Sequence, residues 1–93
     1  MLIIARRSHQ GFHAFWPSGA SIFVRVERDV APALLSVDGE EPMPLPFSVT
    51  LEGITMTVHL GNGPTPGNGG VRLAIDAPRS VSIQRDDTKK VPR

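Results

Sequence analysis

Glycine and proline place the strongest constraint on how this chain folds. The 93 residues include nine glycines and nine prolines, spread through the sequence. Glycine destabilises helices through its conformational entropy, and proline through its missing N–H and its ring. Long helices are therefore disfavoured over most of the chain, and shorter elements have to bury its apolar residues.

Apolar residues between these interruptions recur at every second position. This period is typical of strands that bury one face. The pattern predicts an all-β chain with five clear strand segments: "SIFVRVE" (21–27), "FSVTLEG" (47–53), "ITMTVHL" (54–60), "VRLAID" (71–76) and "SVSIQR" (80–85).

Turn-forming residues separate these segments. We predict turns at Pro17-Ser18-Gly19, Asp38-Gly39 and Glu52-Gly53, an extended or irregular course over 38–46, and a loop over 61–70. Only "RDDTKKVPR" (85–93) has the charge order of a helix start, and Pro92 would end it almost at once. A helix at this end is predicted to be short or absent.

Composition limits the classes of function. The chain has no cysteine, which excludes disulfides, thiolate metal sites and a cysteine nucleophile. A monomer of this length has a marginal core, so oligomerisation is the expected route to stability. The formal net charge of +1 argues against broad adhesion to nucleic acid or to membranes. Binding of that kind would need a local cluster of cations.

The apolar runs are too short to cross a bilayer, and "MLIIARRSHQ" (1–10) reverses the charge order of a secretory signal. These features predict a cytoplasmic protein.

Groups suited to catalysis or metal binding are sparse. His9 and His13 have a spacing that suits a helix face, but on a strand that spacing separates the rings, and neither they nor His59 has a telling third ligand. The glycine-rich 61–70 lacks the lysine and the following helix of a phosphate loop. No set of acid, base and nucleophile is visible, so we predict a non-enzyme without metal or cofactor.

Two features leave a binding role open. Phe12, Phe15 and Trp16 lie close together and suit a base-stacking platform, although core or interface positions are commoner for such residues. The arginines at strand ends, Arg6, Arg7, Arg79 and Arg85, would form a basic edge if the first and last strands were neighbours. A solvated edge protected by charge explains them equally well.

Two segments resemble one known family. "MLIIARR" (1–7) and "VRLAIDAPRSVSIQRDD" (71–87) are similar, in order and in internal spacing, to the first strand and the last two strands of the carbon storage regulator family (CsrA/RsmA). These are small bacterial RNA-binding translational regulators. The resemblance implies a small antiparallel five-stranded sheet and a homodimer that exchanges strands. It also implies binding of GGA motifs in the hairpin loops of mRNA or small RNA, with control of translation or transcript stability.

The resemblance also implies which residues bind RNA. Arg85 corresponds to the family's main arginine, and Gln84 replaces a histidine common at that position, which keeps hydrogen bonding and loses aromatic character. The implied RNA-binding residues are Ile4, Arg6, Arg7, Ala77, Pro78, Val81, Ile83, Gln84 and Arg85.

The chain is longer than usual for the family. The additional residues are predicted to form a β-rich insertion at roughly 8–46 or, in the alternative register, 27–70; the first is slightly favoured because "EGITMTVHLG" (52–61) leads into the next strand. An insertion also permits an alternative function. The chain would then be a protein-interaction module that keeps the dimer scaffold, with RNA binding lost or masked.

Overall fold

Two antiparallel sheets and no helix make up the part of the chain described by the computed structural model, residues 2–30, 32–61 and 70–85. The prediction of an all-β chain is confirmed. The strands are β1 (Leu2–Arg6), β2 (Gly11–Phe15), β3 (Ser21–Arg28), β4 (Leu34–Val37), β5 (Met43–Pro44), β6 (Phe47–Leu51), β7 (Ile54–Leu60), β8 (Val71–Asp76) and β9 (Ser82–Arg85). Over these residues no helix has the length and apolarity needed to cross a membrane.

The first sheet has four strands in the order β1–β8–β7–β6. The β6–β7 hairpin continues through the next connection into β8, and β1 adds to the free side of β8. In that last pair Leu2 lies opposite Ile75 and Arg6 lies opposite Val71. The first strand of the chain is therefore an edge of this sheet.

The second sheet has five strands in the order β5–β4–β3–β2–β9. The β2–β3 hairpin forms its centre, and β9 pairs with the outer side of β2. Phe12 lies opposite Arg85 in this pair, and Ala14 lies opposite Ile83. The last described strand is therefore an edge of the second sheet, and the β8–β9 connection crosses from one sheet to the other.

A single cluster of buried side chains fills the space between the sheets. The predicted alternation is confirmed for β3, where Ile22, Val24 and Val26 are buried, and for the residues of β8 at 71, 73 and 75. It fails at the end of β7, because Leu60 is 62% exposed. Both sheets contribute to one core, so the single chain buries a larger share of its apolar residues than separate hairpins would.

Local sequence explains the turns at Asp38-Gly39 and Glu52-Gly53. Asp38 and Gly39 have φ of 53° and 77°, and Glu52 and Gly53 have φ of 51° and 78°. Positive φ at both central residues is the requirement of a type I′ hairpin turn, which glycine meets without steric cost. The turn predictions at these two sites are confirmed.

The proline-rich stretch 38–46 has a short strand, β5, and a cis peptide bond between Leu45 and Pro46. The loop predicted over 61–70 lies, apart from its two ends, outside the described residues. The segment 85–93, where a helix was predicted to be short or absent, also lies outside them apart from Arg85, which ends β9.

The two insertion registers correspond to two candidates for the family's middle hairpin, "GFHAFWPSGASIFVRV" (11–26) and "FSVTLEGITMTVHLG" (47–61), and both segments form hairpins here. The β6–β7 hairpin belongs to the first sheet and leads into β8, whereas the β2–β3 hairpin belongs to the second sheet and contacts β9. The boundaries of an insertion stay a prediction.

Candidate functional site

A cleft of about 340 Å³ lies where the edge strands β1 and β9 of the two sheets approach each other. The connection between β8 and β9 closes one end of it. The lining residues are Leu2, Ile75, Ala77, Pro78, Arg79, Val81 and Ile83. Residues from the first and last strands of the same chain therefore share one concave surface.

Strand alternation explains which side chains reach this cleft. Cross-strand partners share a face of a sheet, so Ile83 lies on the face of buried Ala14, and Arg85 lies on the face of buried Phe12. On β1, Leu2 shares a face with Ile4, which is buried in the core. Side chains on the core-facing side of each edge strand therefore form the walls of the cleft.

The connection Ala77-Pro78-Arg79 shapes the end of the cleft. The backbone N–H of Val81 donates to the carbonyl of Pro78 at 3.0 Å, which folds the chain into a tight turn. Ala77 is half-buried, while Pro78 and Arg79 are exposed. Among the described residues that line the cleft, Arg79 is the only charged one. The other described side chains that line the cleft are apolar, and backbone groups contribute the rest of its polar surface.

The structure brings four of the nine sequence-predicted RNA-binding residues into this cleft: Ala77, Pro78, Val81 and Ile83. Ile4 is buried in the core, and Arg85 is exposed at the end of β9. Gln84 is half-buried on the opposite face of β9, across from His13.

The two arginines of the first strand have different surroundings. Arg6 is only 6% exposed, and its Nε donates to the carbonyl of Ala5 at 2.7 Å. Arg7 is exposed, and its backbone N–H donates to the side-chain oxygen of Gln10 at 3.0 Å. Of the four arginines considered from the sequence, Arg7, Arg79 and Arg85 are therefore exposed, whereas Arg6 is buried.

Sequence reasoning did not assign Leu2 and Ile75 to the site, and it placed Arg79 only among the arginines of the edge. The alternation that links Leu2 to Ile4 was a usable signal, as was the position of Arg79 directly after Pro78. Ile75 carries no such signal, because its place beside β1 depends on pairing between strands about seventy residues apart in the sequence.

The aromatic residues separate into two groups. Phe12 and Trp16 are buried in the core, and the indole N–H of Trp16 donates to the carbonyl of Ile54 at 3.0 Å. Phe15 is 38% exposed on the outer face of the second sheet. The three residues therefore do not form one stacking platform, because strand alternation places Phe12 and Phe15 on opposite faces.

The histidines do not assemble with other ligands. Nη2 of Arg25 donates to Nδ1 of His9 at 2.7 Å, and the ring of His13 lies against those of Phe15 and Phe23. Within the described ranges no three histidine or carboxylate side chains lie close enough together to hold a metal ion.

Comparison with known proteins adds no relative. No family model, curated protein or solved structure matches the chain. Functional inference therefore depends on the cleft and on the sequence resemblance.

Proposed function

We propose that the protein is a non-catalytic RNA-binding regulator that holds a GGA-containing segment of mRNA or small RNA at the cleft between β1 and β9. One observation carries the proposal. The two sequence segments that resemble the carbon storage regulator family, although about seventy residues apart, line a common concave surface. Binding there would control translation or transcript stability.

The chemistry of the cleft suits unpaired bases. Its volume is at the low end of the range for small-ligand pockets, roughly 300–1,000 Å³. Leu2, Val81 and Ile83 offer apolar contact to flat base faces, and the backbone of the β8–β9 connection lies where base edges would approach. The exposed guanidinium of Arg79 stands at the rim for phosphate or a guanine edge.

The family resemblance also predicts a homodimer that exchanges strands. Within one chain β1 already pairs with β8, from Leu2 opposite Ile75 to Arg6 opposite Val71. An exchange would reproduce this register between two chains, so it would preserve the cleft while changing which chain supplies β1. We therefore expect one RNA site per chain in either form, and light scattering of the free protein distinguishes monomer from dimer.

Arg85 tests the proposed RNA site, because the family resemblance implies it as the main RNA contact and it lies on the same side of β9 as the cleft residue Ile83, two positions along the strand. We expect Arg85→Ala to weaken binding of a GGA-loop hairpin by about 1–3 kcal/mol, as for the loss of a good arginine contact. The measurement is a gel-shift titration at moderate salt. Arg28→Ala is the matched control, because Arg28 is also an exposed arginine but lies on β3, away from the cleft lining.

The control should bind like the wild type. Equal affinities of the wild type and Arg85→Ala would remove Arg85 from the site. Failure of the wild type to bind any GGA hairpin at micromolar concentration would reject RNA regulation.

The second candidate function is a protein-interaction module on the same scaffold. It is favoured by the exposure of two large apolar residues, Leu2 and Ile3, on the edge strand β1. Exposed edge strands readily pair with a strand of another chain. A wild type that fails the RNA titration and yet retains a protein partner through β1 would support this candidate.

A further inference from the structure

The outer face of the second sheet has a row of rings that the cleft does not use. His13 and Phe15 are stacked on β2, with ring centroids 6.0 Å apart and planes at 28°. Phe23, on the adjacent strand β3, lies 4.7 Å from His13. We call these three residues the aromatic strip. Phe15 is the most open of its phenylalanines, at 38% exposure.

The outer face of the first sheet is different in kind. There the hydroxyls of Ser48 and Thr57 are 2.8 Å apart, and those of Thr50 and Thr55 are also 2.8 Å apart. Paired hydroxyls of this kind are typical of a solvent-facing sheet. The aromatic strip is therefore specific to the second sheet. The antiparallel architecture that both sheets share does not require it.

Polar groups border the aromatic strip on two sides. Gln84 lies opposite His13 and Ser82 lies opposite Phe15, so both β9 side chains share the face of the rings. On the other side, the side chain of Arg25 is 43% exposed and bonds to His9 at 2.7 Å. Arg25 also lies 3.5 Å from the carboxylate of Glu27, which offsets part of its charge.

We propose that the aromatic strip stacks unpaired RNA bases that flank the segment held in the cleft. This inference rests on the proposed function, because β9 connects the two surfaces. Its residue Ile83 lines the cleft together with Val81, which directly precedes the strand, while Ser82 and Gln84 border the aromatic strip. An RNA strand that crosses this edge strand passes directly from one surface to the other.

The chemistry favours single-stranded nucleic acid as the occupant. Every base presents a π-face, and aromatic rings on a sheet bind such faces with little sequence preference. The Gln84 amide is placed to hydrogen-bond base edges, and Arg25 is placed to contact phosphate or stack on a base. A proline-rich peptide would also pack on the rings, but its binding would not require the polar side chains on both sides of the strip. Binding of such a peptide is the competing outcome of the test.

The test compares two RNAs on the full chain. One is a GGA-loop hairpin with no unpaired flank, and the other is the same hairpin with short adenosine flanks that carry 2-aminopurine. We expect Phe15→Ala to weaken the flanked RNA by about 5-fold or more, the factor equivalent to about 1 kcal/mol of stacking. It should leave the unflanked hairpin unchanged and abolish the quenching of 2-aminopurine that stacking causes.

Two variants separate stacking from a loss of folding. Phe15→Tyr keeps the ring and should restore both affinity and quenching. Leu60→Ala removes another exposed, large apolar side chain, this one from the first sheet, and should behave like the wild type. Melting of each variant, followed by circular dichroism, shows whether the fold is intact.

The outcomes distinguish this inference from the proposed function. If the unflanked hairpin binds and Phe15→Ala weakens neither RNA, the aromatic strip is not an RNA surface and the cleft proposal stands. If no hairpin binds, the cleft proposal fails, and an unpaired adenosine oligomer then decides the aromatic strip: binding that depends on Phe15 supports it, and no such binding overturns it. Binding of a proline-rich peptide that depends on Phe15, without RNA binding, also overturns it.

Discussion

Gly11 is the position where the backbone leaves no room for a side chain. It lies on β2 opposite Arg25 of β3. A Cβ placed there would stand 1.8 Å from the carbonyl oxygen of Val24 and 2.8 Å from Cα of Arg25. Both atoms belong to the paired backbone, so neither can turn aside as the end of a flexible side chain would. Gly11→Ala therefore forces the two central strands of the second sheet apart.

The cost follows from two contributions. Overpacking in a well-packed region costs about 1–3 kcal/mol, and contact with backbone places this case at the upper end. Displacement of β3 also strains the bond from the N–H of Val26 to the carbonyl of Gln10, 2.7 Å long, and each such bond is worth about 0.5–1.5 kcal/mol net. We expect a loss of at least about 3 kcal/mol, equivalent to a fall in Tm of at least about 12 °C for a domain of this size.

Trp16 supplies the assay. It is the only tryptophan of the chain, it is 3% exposed, and it joins the two sheets through its bond to Ile54. Its fluorescence during urea unfolding reports the integrity of the core. The matched control is Gly39→Ala, where an added Cβ meets nothing within 4 Å but φ is +77°. That variant should lose only about 1–2 kcal/mol, the cost of a left-handed conformation for alanine.

The comparison of the two alanine variants is the decisive result. A loss of stability in Gly11→Ala that is no larger than the loss in Gly39→Ala would refute the reasoning. It would mean that β2 and β3 are not held as closely at Gly11 as their register requires.

Two more predictions concern the core and the proposed RNA site. Trp16→Phe should destabilise the protein by about 1–3 kcal/mol, because it leaves the Ile54 carbonyl without its indole donor; urea unfolding followed by circular dichroism measures the loss, and wild-type stability would contradict it. Affinity for the unflanked hairpin should fall only gently with salt, with a log–log slope no steeper than about −2 if the exposed arginines at the cleft contact two or three phosphates of single-stranded RNA. A much steeper slope in a salt series of gel shifts would indicate broad electrostatic binding instead.

Local features were predictable from the sequence, and pairings between distant segments were not. The alternation in β3 and β8 and the Asp-Gly and Glu-Gly turns depend on neighbours within a few residues, which a sequence shows directly. β4 (Leu34–Val37) was missed, because "LLSV" has no clear alternation and Ser36 is buried through its bond to Glu27. The assignment of strands to two sheets depends on contacts that no local pattern encodes.

The same distinction explains the candidate site. The resemblance found Ala77, Pro78, Val81 and Ile83 because they lie within one continuous segment. Leu2 joins them only through the pairing of β1 with β8, which is a property of the folded chain. In the sequence analysis Phe12 and Phe15 were grouped as one aromatic cluster. The structure shows that they lie on opposite faces of β2, so Phe12 is a core residue and Phe15 is exposed.

β9 explains how so short a chain can present two different surfaces. It is an edge strand of four residues, so both of its faces approach solvent at the border of the sheet. Ile83, on one face, is part of the cleft wall, and Gln84, on the other, borders the aromatic strip. Because side chains alternate along a strand, neighbouring positions serve separate surfaces without a change in the backbone. An RNA-binding protein built this way would need no broad positive charge, since the proposed RNA path across the edge meets the apolar side chains of the cleft, ring faces and a few arginines in turn.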